Sequence, residues 1–331
     1  MPEPLGVKIA GTGQYLPETV LANDYFAQRL DTSDQWIRER TGIIERRAAG
    51  EGESTATMAT SAAREALADA GLTVDDIDMI IVSTITPEAV LPSTACFVQQ
   101  ALDMKPVPAF DLAAACSGFI YGFLNAAFML QTGHFRHILL IGSETMTRIT
   151  DPEDRATCIL FGDGAGAAVL SATPDAKGSA VLHFTMSAEG SGDSLLFVPA
   201  GGSRLPASHM TIDERLHYVK MNGREVYKQA VKHNLDLVDT TLAEAGIRPE
   251  DIALFIPHQS NLRIIESARQ RLGLSEDRMF TNIHKIGNTS SASIPLGLDE
   301  CMKSGRIRTG DLVLLIAFGA GFTWASALLR I

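Results

Sequence analysis

Leu67-Ala68-Asp69-Ala70-Gly71-Leu72-Thr73-Val74-Asp75-Asp76-Ile77 decides the fold, because Leu242-Ala243-Glu244-Ala245-Gly246-Ile247-Arg248-Pro249-Glu250-Asp251-Ile252 repeats its pattern 175 residues later. Each copy reads as a helix end, a glycine stop, and acidic residues before a strand. The same offset carries Met79-Ile80-Ile81 onto Leu254-Phe255-Ile256, and Ile138-Leu139-Leu140-Ile141 onto Val313-Leu314-Leu315-Ile316. One register kept over three elements implies duplication. The chain therefore reads as two α/β halves, 1–174 and 175–331, joined near the loop-rich Thr173-Pro174-Asp175-Ala176-Lys177-Gly178.

Strands such as Ile80-Ile81-Val82 and Val313-Leu314-Leu315-Ile316 are apolar throughout. Continuous apolar runs are buried on both faces, so each half builds a sheet covered by helices. Long helices are expected over Thr55–Ala70 and Arg224–Ala245. Two such halves stacked give a layered αβαβα body.

The 331 residues, 46% of them hydrophobic, supply a large core and exceed one ordinary domain. Cys96, Cys116, Cys158 and Cys301 are widely spaced with no C-x-x-C pair, which points to reduced cytosolic thiols and neither a disulfide framework nor a metal site. A net charge of −11 argues against nucleic-acid binding, and any acidic partner would need a local basic patch. No apolar run is long enough to span a membrane, and Met1-Pro2-Glu3-Pro4 leads directly into the strand-like Val7-Lys8-Ile9-Ala10. A cytoplasmic protein without membrane association is expected.

Asp111-Leu112-Ala113-Ala114-Ala115-Cys116-Ser117-Gly118-Phe119 reads as a strand turning sharply into a helix, with one thiol at the bend. Nucleophiles are presented this way, and the helix N-terminus would favour the thiolate. A buried structural cysteine fits the same local pattern. The offset maps Cys116 onto Ser291, inside Gly287-Asn288-Thr289-Ser290-Ser291-Ala292-Ser293-Ile294-Pro295, and Ser83 onto His258, inside Pro257-His258-Gln259-Ser260-Asn261. A pseudo-twofold relation between the halves would let these loops converge on one site. Cys, His and Asn together can attack a thioester and donate hydrogen bonds to a developing oxyanion. His258 lies at the end of an apolar strand, where α/β sheets form ligand sites. His134 and His137 flank a strand, and His209, His217 and His233 read as solvent-facing. Asn288, after Gly287, is equally readable as an ordinary turn residue. Phe161-Gly162-Asp163-Gly164-Ala165-Gly166-Ala167-Ala168 lacks dinucleotide spacing and runs into a strand. Phe318-Gly319-Ala320-Gly321 can bring backbone N–H groups to a ligand oxygen, or be only a tight turn.

These motifs resemble the β-ketoacyl-acyl carrier protein synthase III family, initiating condensing enzymes of type II fatty acid synthesis with a thiolase fold. Thr32-Ser33-Asp34-Gln35-Trp36-Ile37-Arg38-Glu39-Arg40-Thr41-Gly42-Ile43 and Phe322-Thr323-Trp324 extend the resemblance over essentially the whole chain. It implies acylation of Cys116 by acyl-CoA, then decarboxylative condensation with malonyl-acyl carrier protein promoted by His258 and Asn288. It implies an oxyanion hole from the backbone N–H of Cys116 and of the Ala320 turn. Trp36 and Arg155 match an adenine-sandwiching pair, Arg40 a coenzyme A phosphate contact, Asn261 a residue near the site, and Arg263 a carrier-docking residue. No cofactor beyond these substrates and a homodimer are implied. The basic spacing agrees: Arg224, Lys228 and Lys232 line one helix face, and Arg263 and Arg271 share an eight-residue spacing.

Ala320 and Ala325 stand where the family commonly has glycine, and an added Cβ beside the turn could narrow the site. Leu91 matches the gate residue that reaches the partner subunit's acyl pocket; a leucine there leaves room for longer or branched starters. The rival readings are a starter or tailoring ketosynthase of polyketide, quinolone or long-chain hydrocarbon synthesis, and a degradative thiolase or hydroxymethylglutaryl-CoA synthase. A non-catalytic acyl-binding protein is the third. A thiolase would need a second cysteine in the 319–321 turn, which has none, and Cys301 reads as helical.

Overall fold

The computed structural model describes residues 5–174 and 181–331. Met1-Pro2-Glu3-Pro4 and the expected 174/175 boundary with most of its join lie wholly or partly outside the described residues. The strands of the first half are β1 (Gly6–Tyr15), β2 (Val20–Ala22), β3 (Glu45–Arg47), β4 (Met79–Ser83), β5 (Ala109–Leu112), β6 (His137–Thr145) and β7 (Asp163–Thr173). Those of the second are β8 (Val181–Ala188), β9 (Leu196–Phe197), β10 (Lys220–Met221), β11 (Leu254–Pro257), β12 (Leu312–Gly319) and β13 (Thr323–Arg330).

One sheet runs β1-β7-β6-β4-β5 and the other β8-β13-β12-β11. In the first sheet β4 pairs in parallel with both β5 and β6, and in the second β11 pairs in parallel with β12; the pairs β1–β7, β6–β7, β8–β13 and β12–β13 are antiparallel. The 175-residue offset carries β1 onto β8, β4 onto β11 and β6 onto β12. It carries β5 onto the short helix Ile283–Ile286 instead of a strand, and β11 is flanked there by an isolated Phe255–Met279 bridge. Two small ribbons, β2–β3 and β9–β10, complete the strands.

The duplicated eleven-residue pattern has one physical basis. Gly71 and Gly246 end their helices with φ of 64° and 63°, a left-handed conformation that glycine adopts without a Cβ clash. Leu72 N–H then reaches back to Leu67 C=O at 3.0 Å, and Ile247 N–H to Leu242 C=O at 3.2 Å. Asp76 and Asp251 accept from the backbone N–H groups of Thr73 and Arg248 at 2.8 and 3.0 Å, capping the turn that feeds each central strand.

Alternation within the apolar strands produces the layers. Ile81, Leu140 and Leu170 of the first sheet, and Ile256, Leu315 and Leu329 of the second, face each other across the helices Gly118–Gln131 and Ser293–Lys303. Ile80, Leu139 and Val169 point the other way, under the Thr55–Ala70 helix. Phe255, Leu314 and Leu328 lie under the helices Gly223–Ala245 and Leu262–Leu272. This is the five-layered αβαβα thiolase arrangement. Each buried Leu or Ile contributes about 1.5–3 kcal/mol. The central helices sit close because glycines face them: a Cβ on Gly166 would lie 2.7 Å from Leu296 N, and one on Gly142 2.5 Å from Ser291 O.

These two glycine roles are separable by substitution. Gly71→Ala should cost about 1 kcal/mol, from φ alone, because nothing lies within 4 Å of its Cβ position. Gly166→Ala should cost about 3 kcal/mol, because the atoms in its way are backbone. Urea midpoints at unchanged m-value measure both.

Candidate active site

The thiol sits on a one-turn 3₁₀ segment, Ala115–Ser117, between β5 and the Gly118–Gln131 helix. Ala115 holds φ +47°, a strained turn that swings the cysteine out of the strand line. The elbow is tied to the second half: Ser117 Oγ donates to Thr323 C=O at 3.0 Å, and Thr323 Oγ1 to Ala114 C=O at 2.9 Å. The end of β12 runs against it, since a Cβ on Gly319 would lie 2.7 Å from Cys116 N. Only glycine permits that approach. Ala320, the departure noted above, instead lines a cavity beside Cys116, and Ala325 is fully buried opposite Ala317 in β13.

His258 follows β11, with its N–H on Ile316 C=O at 2.8 Å and its Nδ1 3.0 Å from Ser293 Oγ. Its buried Nε2 has no hydrogen-bond partner among the described residues. Gln259 fastens the loop from behind, its N–H donating to Ser293 Oγ at 2.7 Å and its Oε1 accepting from the backbone of Asn282 and Ile283. Asn288 follows Gly287, whose φ is +66°. Asn288 N–H donates to Leu160 C=O at 2.8 Å, and its Oδ1 accepts from Ser290 N–H at 2.9 Å. Asn288 lines the cavity described next. Ser290 Oγ lies 3.7 Å from Cys116 Sγ.

Cys116, His258 and Asn288 line one cavity of about 130 Å³, walled by Leu160, Phe161, Val226, Ala230, Ile264 and Phe318, with Ser260 and Asn261 among its lining residues. A second cavity, of about 190 Å³, also touches Cys116 and is almost wholly apolar, lined by Ile85, Met146, Ile149, Leu196, Val219 and Ala320. The two meet at the thiol. Burial pushes the thiol up to about 12, the charge of Glu144 adds to it, and the Ser290 hydrogen bond opposes it. Desolvation thus works against the thiolate that the helix N-terminus favours. Burial holds His258 down at about 3, so its ring is neutral at physiological pH.

The remaining candidates divide. Trp36, in the Asp34–Thr41 helix, has the Arg155 guanidinium 5.1 Å and the Arg40 guanidinium 5.8 Å from its ring centre. Asn261 caps the Leu262–Leu272 helix and donates to Arg40 C=O at 3.0 Å, which brings these residues to the mouth of the first cavity. Arg263 donates to Glu39 C=O at 2.6 Å. Arg271 is paired with Asp239 at 2.6 Å, and Lys228, 74% exposed, stands 4.0 Å from Glu225. Leu91 is 80% exposed and lines neither cavity of its own chain. His233 is not solvent-facing: it is 6% exposed, stacked 4.0 Å from the Trp324 ring. Its helix carries it inward at a position where periodicity alone gave no sign. All four cysteines are unpaired. Among the described residues no His/Cys/Asp/Glu cluster could hold a metal, and no helix is long and apolar enough to cross a membrane.

Sequence reasoning missed Ser293, Gln259, Ser290 and Glu144. The first three lie inside motifs already quoted, where His258 and Asn288 drew the attention. Glu144 carried one signal only, its place 175 residues before Gly319.

The family described as 3-oxoacyl-[acyl-carrier-protein] synthase III matches residues 110–190, and its C-terminal counterpart matches residues 242–331. The chain is 48% identical to the β-ketoacyl-[acyl-carrier-protein] synthase III of Caldanaerobacter subterraneus subsp. tengcongensis, over 100% of this chain and 99% of that one. It superposes on the crystal structure of the Aquifex aeolicus VF5 3-oxoacyl-[acyl-carrier-protein] synthase III with a TM-score of 0.90 and 45% identity, covering 98% and 100% of the two chains. It is also similar to the priming β-ketosynthase of the R1128 polyketide pathway, with a TM-score of 0.91 and 33% identity over 100% and 98% of the chains.

The raised thiol can be measured directly. Iodoacetamide alkylation of Cys116, followed by peptide mass spectrometry, should rise about tenfold per pH unit from pH 7 to 9 without levelling, whereas an ordinary thiol near pH 8.5 would saturate.

Proposed function

The chain belongs to the β-ketoacyl-acyl carrier protein synthase III family, and from that premise we propose that Cys116, His258 and Asn288 carry its two-step acyl transfer. The observation that supports this is the convergence of all three on one buried cavity that meets a second, apolar cavity at the thiol. In the first step Cys116 Sγ bonds to the thioester carbon of acyl-CoA, the bond to the coenzyme A sulfur breaks, and the thiol proton leaves on that sulfur. The acyl chain lies in the apolar cavity and the pantetheine in the other. The N–H groups of Cys116 and Ala320 face the carbonyl oxygen as it gains charge. Trp36 and Arg155 stack the adenine, and Arg40 meets phosphate.

In the second step malonyl-acyl carrier protein enters the vacated cavity. Its carboxylate leaves as carbon dioxide, the resulting enolate carbon bonds to the acyl carbon, and Cys116 departs as thiolate and takes up a proton. Splitting the reaction lets one shaft serve both thioesters. His258 suits the enolate as a neutral donor. Ser293 Oγ accepts from Gln259 N–H and has its own hydroxyl proton to give to His258 Nδ1; in that tautomer Nε2 carries the ring proton and is the donor. Asn288 supplies the second donor.

The acyl carrier protein would dock on a basic face that includes Lys228, Arg263 and Arg271. Arg271 contributes least charge there, being paired with Asp239. A homodimer in the cytoplasm, with Leu91 of each subunit gating the other's acyl cavity, completes the reading; no cofactor enters it beyond the substrates. The similarity to a priming polyketide ketosynthase keeps a starter enzyme of secondary metabolism as the second reading.

Intact-mass spectrometry after a mixed acyl-CoA pool should show one acyl adduct on Cys116, including branched or medium-chain groups if Leu91 leaves room for them. An adduct from acetyl-CoA alone would refute that role for Leu91. Cys116→Ala should abolish the adduct. His258→Ala and Asn288→Ala should keep it while condensation falls by about 10²–10³-fold; a Cys116→Ala protein that still condenses would overturn the assignment.

A further inference from the structure

The second half contains its own elbow, with a hydroxyl in place of the thiol. At the 175-residue offset Ser291 stands for Cys116, Ser83 for His258 and Glu144 for Gly319. The backbones agree: Ala115 and Ser290 hold φ of 47° and 48°, and each elbow opens one of the two central helices. Where Gly319 brings bare backbone against Cys116, Glu144 places a carboxyl beside Ser291.

Glu144 is fully buried, and no cation pairs with it among the described residues. Its Oε1 lies 2.7 Å from Ser291 Oγ, whose one proton is shared with Ser83 C=O at 2.8 Å, and it accepts from Ser291 N–H at 3.4 Å. Its Oε2 accepts from Thr86 Oγ1 at 2.7 Å, Ile85 N–H at 3.1 Å, and Thr84 Oγ1 and Thr86 N–H at 3.2 Å. Neutral donors converging on a carboxyl at the mouth of an elbow resemble the surroundings of an oxyanion. Burial pushes the Glu144 carboxyl upward, toward its neutral form, and the hydrogen bonds from Thr86, Ser291 and Ile85 oppose that push.

We propose that Glu144 is a positioning residue for condensation: it plugs the duplicate's counterpart of the oxyanion site and, through Ser291, holds the loop carrying Asn288 against Cys116. Glu144 belongs to β6 and Ser291 to the other half, so their hydrogen bonds cross the junction of the halves. The next links are short. Ser290 N–H is bonded to Asn288 Oδ1 at 2.9 Å, so displacement of Ser290–Ser291 moves the Asn288 amide. The Cys116 backbone has its own ties, through Ser117 and Thr323, while its Sγ meets Ser290 Oγ only at 3.7 Å. Loss of Glu144 therefore acts first on the enolate-stabilising side and leaves the nucleophile's backbone in place. This rests on the roles given above to Cys116 and Asn288.

The two half-reactions provide the test. Single-turnover acylation of Cys116 by acyl-CoA is followed by mass spectrometry, and condensation with malonyl-acyl carrier protein by product formation. Glu144→Ala should acylate within about threefold of the unmodified protein while kcat for condensation falls about 30-fold. Glu144→Gln keeps the shape and one oxygen toward Ile85 and Thr86, and should condense within about threefold of the unmodified protein. Ser291→Ala should lose condensation selectively, about tenfold, which keeps the proposal testable if Glu144→Ala does not fold. Equal losses in both half-reactions, no loss in either, or Glu144→Gln as impaired as Glu144→Ala would each overturn it. An unmodified protein that forms no adduct on Cys116 would instead overturn the underlying assignment, and this inference with it.

Discussion

The structure depends on how closely two backbone turns approach each other at the junction of the halves. The end of β12 passes the Cys116 amide so tightly that a Cβ on Gly319 would sit 2.7 Å from it. The Ser291 carbonyl passes Gly142 with a corresponding clearance of 2.5 Å. Neither approach tolerates a side chain. Together they bring the N-termini of both central helices, starting at Gly118 and Ser293, to the same place. Helix N-termini carry partial positive charge and unpaired N–H groups, so this junction suits developing negative charge.

Everything polar at the junction has been withdrawn from water, and the chain compensates group by group. Gln259 joins Ser293 to the 281–283 segment, Asn288 is held by Leu160 and Ser290, and Glu144 is surrounded by donors from both halves. A buried donor or acceptor left alone costs about 1–3 kcal/mol. Ser83 Oγ, Asn282 Oδ1 and Thr289 Oγ1 are also buried without a partner among the described residues, but His258 Nε2 belongs to a residue that lines the cavity with Cys116. A group kept in that condition, lining a cavity with a thiol, is placed for a ligand.

The same turn is built twice. In the first half it carries a thiol that lines two cavities, and in the second a hydroxyl beside a carboxyl. A few side chains on a repeated backbone make the two elbows chemically unlike.

Much of this was legible in the chain. The glycine stops at 71 and 246 are local decisions, because a left-handed residue needs no tertiary partner to favour glycine. The apolar strand runs declared burial on both faces, and hence the layers. Cys116, His258 and Asn288 were reachable through the offset, since equivalent loops of a duplicated fold lie at equivalent places. Other features were hidden. His233 reads as a surface residue until the aromatic rings of Phe318 and Trp324 are seen beneath it. Arg271 reads as a free cation until Asp239, from another helix, is placed opposite. The thiol reads as activated by its helix until its desolvation is known. By itself the sequence determined the repeat, the layers and which loops meet, because these follow from local propensity, periodicity and the constant offset. Only the tertiary structure decided which turn required glycine, which charges were neutralised and which buried polar atom was left open, because each of those depends on distances between segments far apart in the chain.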